Sequence, residues 1–369
     1  MYLLIVRGEY FREQNNIQLD LELDKTDELV ILSSRETSSR KTKPLYILDN
    51  SSSKLGVFHR KVLTFLRIPR QINLNLLPYL KIADVIIITE IFTFYSLFVA
   101  IYKSKFDYKI ILHTGEIYPN KYTGTGIVKY TRRYVRKKID GVIYGNELSE
   151  IEQGHVYDHV PSYMYGNFVD CQRIKFENRT SFVKRIFFGH KICREKGADI
   201  IIDSLDELSR LVEKVTLIGR TFDISKDQIR KLEYYVQTGF VTHHEVLPWN
   251  QYIELMSTHD TFVFMNRRTS LNVEQFGISV LEAMSAGLRI IASREGGPGL
   301  YLEDANSWQA TETQQALMRA IRSINATPKC EIGQIVENAR QTALTYDKSF
   351  LTMRKRHLVK FIRAIRDQK

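Results

Sequence analysis

Two carboxylates eight residues apart, Glu274 and Glu282, bracket the segment whose residue types are best suited to chemistry. Between them run Gln275, Phe276, Gly277, Ile278 and Ser279, and after Glu282 come Ala283-Met284-Ser285-Ala286-Gly287. An apolar run, Thr261–Met265, ends ahead of a polar loop, and a helix is predicted from Ile278–Ser279 onward. Gly277 allows close backbone approach. The unpaired N–H groups of a helix's first turn form an anion site. Ionised carboxylates only accept hydrogen bonds. Glu274 and Glu282 therefore flank a place for phosphate and can take hydroxyls on either side of it, sugar hydroxyls at Glu274 and ribose hydroxyls at Glu282. An isolated Glu pair at this spacing reads more simply as a helix-capping acid and a surface residue. The Phe-Gly turn and the Ala-Gly-Leu-Arg-Ile-Ile-Ala-Ser run that follows argue against that here.

Through these residues the sequence resembles glycosyltransferase family 4, retaining enzymes of the GT-B fold. The shared pattern is Glu274, Glu282, Ala283-Met284-Ser285-Ala286-Gly287, a strand through Ile290-Ile291-Ala292, and Gly296-Gly297. The resemblance implies a nucleoside diphosphate sugar as donor, bound by His190, Lys196, Gly219, Glu274, Phe276, Gly277, Ile278 and Glu282. It implies His113, Glu274 and Lys196 as the catalytic set, with no metal and no cofactor. Gly189-His190 stands where the family has Gly-Arg, and Lys196-Gly197 matches its Lys-Gly. A neutral imidazole is a poorer diphosphate clamp than a guanidinium fork, so Lys191 or Arg194 is expected to compensate. Val215–Arg220 reads as a strand and glycine turn near the nucleoside, and Val241–Leu247, with His243 and His244, falls at the base-binding loop. His113, after the strand Lys109–His113, matches a family histidine that faces the donor sugar. Asn167-Phe168-Val169-Asp170 resembles an interdomain signature, and the family's first glycine-rich loop is reduced to Gly8.

The elements that must position these residues alternate. Apolar strand runs are Tyr2–Val6, Leu29–Leu32, Val85–Thr89, Lys109–His113 and Gly141–Tyr144. In the second half they are Arg185–Phe188, Lys214–Ile218, Val236–Val241, Thr261–Met265 and Arg289–Ala292. Helical patterns fall between them, at Ile91–Tyr102, Ile127–Lys138, Gly197–Leu208, Trp249–Met256, Ser279–Ala286, Gln314–Ile324 and Phe350–Ile365. Alternating β and α indicates parallel sheets with helices on both faces. The fold class is therefore α/β: two Rossmann-like domains facing a central cleft, with a C-terminal helix expected to cross back to the first. The domain boundaries are 1–168 on the acceptor side, 169–345 for the donor domain and 346–369 for a basic helix, with Cys171–Lys184 read as linker.

A chain of 369 residues suits two such domains. Three cysteines, Cys171, Cys193 and Cys330, lie in no metal-type spacing and fit a reducing compartment. The apolar stretch Ala83–Tyr102 is interrupted by Asp84 and Glu90 and reads as strand and helix rather than a membrane span. The net charge of +11 suits an anionic partner. Basic and apolar residues mix over Leu55–Leu80, and Lys129, Arg132, Arg133, Arg136 and Lys137 share a helix. This suggests contact with an anionic membrane surface. The expected acceptor is a glycan or a lipid-linked one, in polysaccharide biosynthesis at the cytoplasmic face. A basic nucleic-acid-binding protein leaves the Glu274–Glu282 motif unexplained and lacks interleaved aromatics. A catalytically impaired GT-B scaffold or lectin-like subunit is the other alternative, raised by His190.

Overall fold

The computed structural model describes residues 1–6, 21, 23–33, 42–44, 75–89, 91, 93–117, 126–269 and 273–368. Gly8, Glu90 and most of the basic stretch Leu55–Leu80 lie outside the described residues. The chain forms two units: Met1–Gly166 with Leu351–Lys369, and Asn167–Phe350.

The first unit contains β1 (Tyr2–Val6), β2 (Glu28–Ser33), β3 (Thr42–Pro44), α1 (Leu77–Leu80), β4 (Val85–Ile88) and α2 (Phe94–Tyr102). It continues with β5 (Lys109–Thr114), α3 (Ile127–Arg136), β6 (Gly141–Tyr144), α4 (Glu147–Gln153) and β7 (Ser162–Met164). The strands form one sheet in the order β3-β2-β1-β4-β5-β6-β7, every pairing parallel. Near-continuous apolar strands such as Val85-Ile86-Ile87-Ile88 are covered on both faces, as a parallel sheet requires. Caps mark the helix starts: the Thr93 hydroxyl accepts from the Ser96 N–H at 3.3 Å, and Asn146 Oδ1 from the Ser149 N–H at 2.8 Å. The stretch Ala83–Tyr102 divides into β4 and α2, and among the described residues no helix is long and apolar enough to cross a membrane.

The second unit repeats the plan. It has β8 (Arg185–Phe188), α5 (Ala198–Asp203), α6 (Leu205–Leu208), β9 (Lys214–Ile218), α7 (Lys226–Gln237), β10 (Val241–His244) and α8 (Trp249–Met256). Then come β11 (Thr261–Phe264), α9 (Ile278–Ala286), β12 (Arg289–Ala292), β13 (Trp308–Gln309), α10 (Gln314–Ala326) and α11 (Lys329–Leu344). The parallel order β10-β9-β8-β11-β12-β13 is the 3-2-1-4-5-6 order of a dinucleotide-binding sheet. Arg289, the first residue of β12, is fully buried and paired to Asp260 at 2.5 Å. Asp260 also accepts from the Lys184 and Arg185 N–H groups and the Thr261 hydroxyl.

Three expectations need correction. The strand placed at Val236–Val241 begins only at Val241: Ser225 and Gln228 form a capping box that starts α7, which runs to Gln237, and Gly239 (φ +79°) ends the turn behind it. Cys171–Lys184 is not a free linker, because Cys171, Ile174 and Val183 are buried in the cores of the second unit. The helix at Gly197–Leu208 is divided at Ser204, whose hydroxyl bonds back to the Ile200 carbonyl at 2.7 Å.

After Phe350 the chain returns to the first unit as α12 (Leu351–Arg366). Its Leu358, Ile362 and Ile365 are buried. The Phe361 ring stacks on Tyr163 at 5.7 Å, and Arg363 pairs with Asp24 at 2.5 Å and Asp27 at 2.7 Å. Gly141, at the start of β6, admits this packing: a Cβ there would lie 3.0 Å from Ile365 Cδ1.

Candidate functional site

In the second unit the strand order reverses between β8 and β11, with β9 continuing on one side and β12 on the other. Ligands of open α/β sheets bind outside the carboxyl ends of the strands at such a point. The segments leaving these two strands, 189–197 and 265–269, with 273–277 ahead of α9, carry most of the residues singled out in the sequence. Arg267 ties the loops together. Its N–H donates to the Glu195 carbonyl at 2.9 Å, and its guanidinium to the Arg194 carbonyl at 2.7 Å and to both oxygens of Asp199 at 2.8 and 2.9 Å. Gly197 (φ +75°) lies so close that a Cβ there would be 2.4 Å from the Met265 carbonyl oxygen.

Across this seam Lys196 Nζ meets Glu274 Oε2 at 2.7 Å and Asn266 Oδ1 at 3.1 Å. The other Glu274 oxygen accepts the Gly277 N–H at 3.2 Å. Burial pushes the Glu274 carboxyl up. The Lys196 ammonium, with smaller help from His190 and the Gly277 N–H, outweighs that and holds it below the usual carboxylate range. The Glu274–Gly277 turn is itself held. Gly297 N–H donates to the Glu274 carbonyl at 2.8 Å, and the Tyr301 hydroxyl donates to the Phe276 and Gly277 carbonyls at 2.8 and 3.1 Å. Gly277 takes a left-handed conformation (φ +78°) and caps α9, whose first-turn N–H groups make the anion site expected there. Phe276 is buried edge-on against Tyr301 and Tyr346, and Ile278 is half-buried beside it.

His190, in the first of these loops, brings Nε2 to 3.2 Å from Ser279 Oγ in the first turn of α9. Its ring packs edge-on to Phe188, Phe262 and Phe264. Burial, then the Lys196 ammonium, pull the imidazole down to about 4, so it is neutral at neutral pH. Lys191 and Arg194 are exposed, and Lys191 lies 5.9 Å from the Phe222 ring centre.

Glu282 is buried, not a surface helix residue, with 8% of its area exposed. The Trp249 indole N–H, at the start of α8, donates to Oε1 at 2.7 Å. Burial raises this carboxyl to about 7, an effect the indole only partly offsets. One turn along α8, the Tyr252 hydroxyl sits over Gly189, where a Cβ would lie 2.2 Å from it. Gly219, after β9, is equally close to the backbone of the first loop: a Cβ there would meet the His190 carbonyl at 2.1 Å. The Gly219 carbonyl lies 3.0 Å from His243 Nε2, which places that histidine in the sheet end rather than free at the surface.

The structure thus brings His190, Lys196, Gly219, Glu274, Phe276, Gly277, Ile278 and Glu282 to one end of one sheet. Asn266, Arg267, Trp249 and Tyr252 were not anticipated. They reach the site through contacts that span dozens of residues, for which spacing gives no signal. His113 belongs to the first unit, half-buried near the end of β5 and opposite Ile143 of β6. In the same unit Glu116 pairs with Arg132. That contact corrects the basic-helix expectation. Lys129 and Arg133 on α3 and Lys137, its C-cap, are exposed, but Arg132 is buried on Glu116, and Arg136 turns toward the Tyr157 ring at 5.8 Å.

Residues 173–342 match the family model described as glycosyl transferases group 1. No curated protein sequence matches the chain. Among solved structures, HepE from Anabaena in complex with UDP-glucose is similar at TM-score 0.67 and 15% identity, over 99% of this chain and 100% of that one. Sucrose-phosphate synthase from Thermosynechococcus elongatus is similar at TM-score 0.70 and 13% identity, over 99% of each chain. A glycosyltransferase from Rickettsia africae is similar at TM-score 0.66 and 14% identity, over 100% and 99%. Identities this low speak for the fold: the chain has the two-unit α/β architecture of GT-B glycosyltransferase structures, and its second unit carries the match to the group 1 family model.

Proposed function

We propose that the protein is a retaining glycosyltransferase that moves a hexosyl group from a nucleoside diphosphate sugar to a hydroxyl of a glycan or lipid-linked acceptor. The observation that carries this reading is the Lys196–Glu274 contact of 2.7 Å, set at the reversal point of the sheet and at the N-terminus of α9, with Glu282 five positions along that helix. In the proposed complex the diphosphate lies against the α9 amides and Lys196. Glu274 accepts sugar hydroxyls and Glu282 accepts ribose hydroxyls. Charge growing on the leaving diphosphate is met by Lys196 and the helix amides, which stabilise it in place of a metal ion.

The HepE complex with UDP-glucose and the match to the group 1 family model support the donor class. The test is a thermal-shift screen of UDP, GDP, UDP-glucose and GDP-mannose on the wild type, Lys196→Ala and Glu282→Ala. A ligand that binds the folded state raises the melting temperature by mass action. A rise with one nucleotide family that both variants lose is the expected result. No rise with any nucleotide sinks the reading. A second reading, a catalytically impaired scaffold, draws on the neutral His190 in place of Arg. Nucleotide binding without sugar transfer to any acceptor would favour it.

A further inference from the structure

The sequence motif accounts for Glu282 but not for what holds it. A carboxylate on a buried helix face pays heavily for its charge unless a donor is fixed against it. Here that donor is an indole from another helix, 33 residues earlier in the chain. Trp249 is itself fixed from behind. The Arg173 guanidinium lies 4.9 Å from the centre of its ring, and Arg173 Nη2 donates to Asn250 Oδ1 at 3.2 Å. The arrangement occupies Oε1, and among the described residues Oε2 has no hydrogen-bond partner.

We propose that Trp249 is a positioning residue for nucleotide binding: its indole N–H favours the charged form of Glu282 and fixes it in the one orientation that turns Oε2 toward the ribose hydroxyls of the donor. This rests on the reading of Glu282 given under Proposed function. A ribose diol needs an acceptor, which a carboxylate is and a carboxylic acid is only in part. Whatever keeps Glu282 ionised therefore sets the pH at which the donor binds.

The neighbours of Glu282 leave Trp249 as the group that does this. Tyr252, from α8, is the titratable side chain whose phenol feels the Glu282 charge, and burial keeps that phenol protonated. Cys171, from the turn before β8, is engaged with Ser285 on α9. Arg340, from α11, is stacked on Phe176 at 4.1 Å. On Glu282 itself the influences are burial, which raises its carboxyl to about 7, and the indole, which lowers it.

The test is the dissociation constant of UDP-glucose, or of GDP-mannose if that is the donor the wild type binds, measured by calorimetry from pH 5.5 to 9. A nucleotide sugar is used because its diphosphate diester carries no group titrating in this range. Three proteins are compared: wild type, Trp249→Phe and Glu282→Gln. Wild-type affinity is expected to rise through a midpoint near pH 7. In Trp249→Phe that midpoint moves up by about one pH unit, and binding at pH 7 weakens about five- to tenfold but returns to within threefold of wild type at pH 9. In Glu282→Gln the step near pH 7 disappears. A Trp249→Phe loss that is the same at every pH would make the residue merely structural and overturn the proposal. An unchanged pH step in Glu282→Gln would overturn it too, even if Trp249→Phe did not fold. A wild type that binds neither nucleotide sugar would instead defeat the donor reading, and this proposal with it.

Discussion

Replacing Lys196 by Met should turn Glu274 from an anchored anion into a misplaced one. The wild-type contact is 2.7 Å long, and the two side chains keep only 15% and 22% of their exposure. Without the ammonium, Glu274 retains the Gly277 N–H, and Asn266 Oδ1 loses its Lys196 donor. Breaking a fully buried pair costs about 3–5 kcal/mol, whereas exposed pairs contribute about 1 kcal/mol or less. Partial exposure here places the cost at about 2 kcal/mol. For a unit the size of Asn167–Phe350 that is a fall in Tm of about 4–8 °C.

The pH dependence has a definite sign. In the wild type the Glu274 carboxyl is lowered, so its contribution is present above its unfolded value and fades as acid protonates it. In Lys196→Met, burial is left as the main influence and raises it, so the variant loses stability as pH rises. Circular-dichroism melts should therefore show the largest gap at pH 8 and a narrow one at pH 5. Lys196→Met/Glu274→Gln should recover most of the gap, because an amide needs no cation. Equal melting of Lys196→Met and wild type at pH 8, or a gap that ignores pH, would refute the reasoning.

Glu282→Gln should stabilise the unliganded protein at pH 8 by as much as about 2–3 kcal/mol, since a carboxyl raised to about 7 loses stability as pH climbs from its unfolded value through 7. The gain should vanish at pH 4.5 in the same melts. Arg289→Met strips Asp260 of its buried cation and should cost about 3–5 kcal/mol in urea unfolding. A cost below about 1 kcal/mol would mean that its other donors suffice. Gly277→Ala faces both a left-handed backbone and a Cβ 2.7 Å from Pro298 Cγ, so it should lose about 1–3 kcal/mol and the nucleotide-induced Tm rise. Gly126→Ala has a similar φ of +81° but open space, and should lose less. Wild type should sediment with anionic vesicles at low salt, and Lys129→Glu/Arg133→Glu/Lys137→Glu should not, because these are the α3 cations that face outward.

The architecture was largely legible, because buried parallel strands announce themselves as apolar runs and Val85-Ile86-Ile87-Ile88 admits few other readings. The misplaced strand at Val236 shows the limit. Its β-prone residues look like a strand in isolation, but they end a helix already committed by the Ser225–Gln228 capping box. Helix α11 escaped notice because half of its buried stripe is Ala339 and Ala343, which carry little hydrophobic contrast. At the site, the residues joined by a short motif were readable: Glu274, Gly277 and Glu282. Their partners Trp249, Asn266 and Arg267 were not, since sheet topology rather than spacing brings them there. Nor could the sequence say that Arg132 and Arg136 point inward, which depends on Glu116 and Tyr157 folding against α3.

The return of α12 to the first unit has a consequence for how the protein is made. The second unit is one uninterrupted stretch, Asn167–Phe350, and can close its sheet as soon as that stretch has left the ribosome. The first unit is synthesised earlier but lacks the Phe361, Ile362 and Ile365 side chains until the whole of the second unit has been made. The half of the chain made first is therefore the half completed last. A nascent chain stalled before Leu351 would carry a folded second unit behind a first unit with the apolar bed of α12 still uncovered. Stop codons within α12 should then be recognised by the cell's chaperones through the amino-terminal half, far in sequence from the lesion itself.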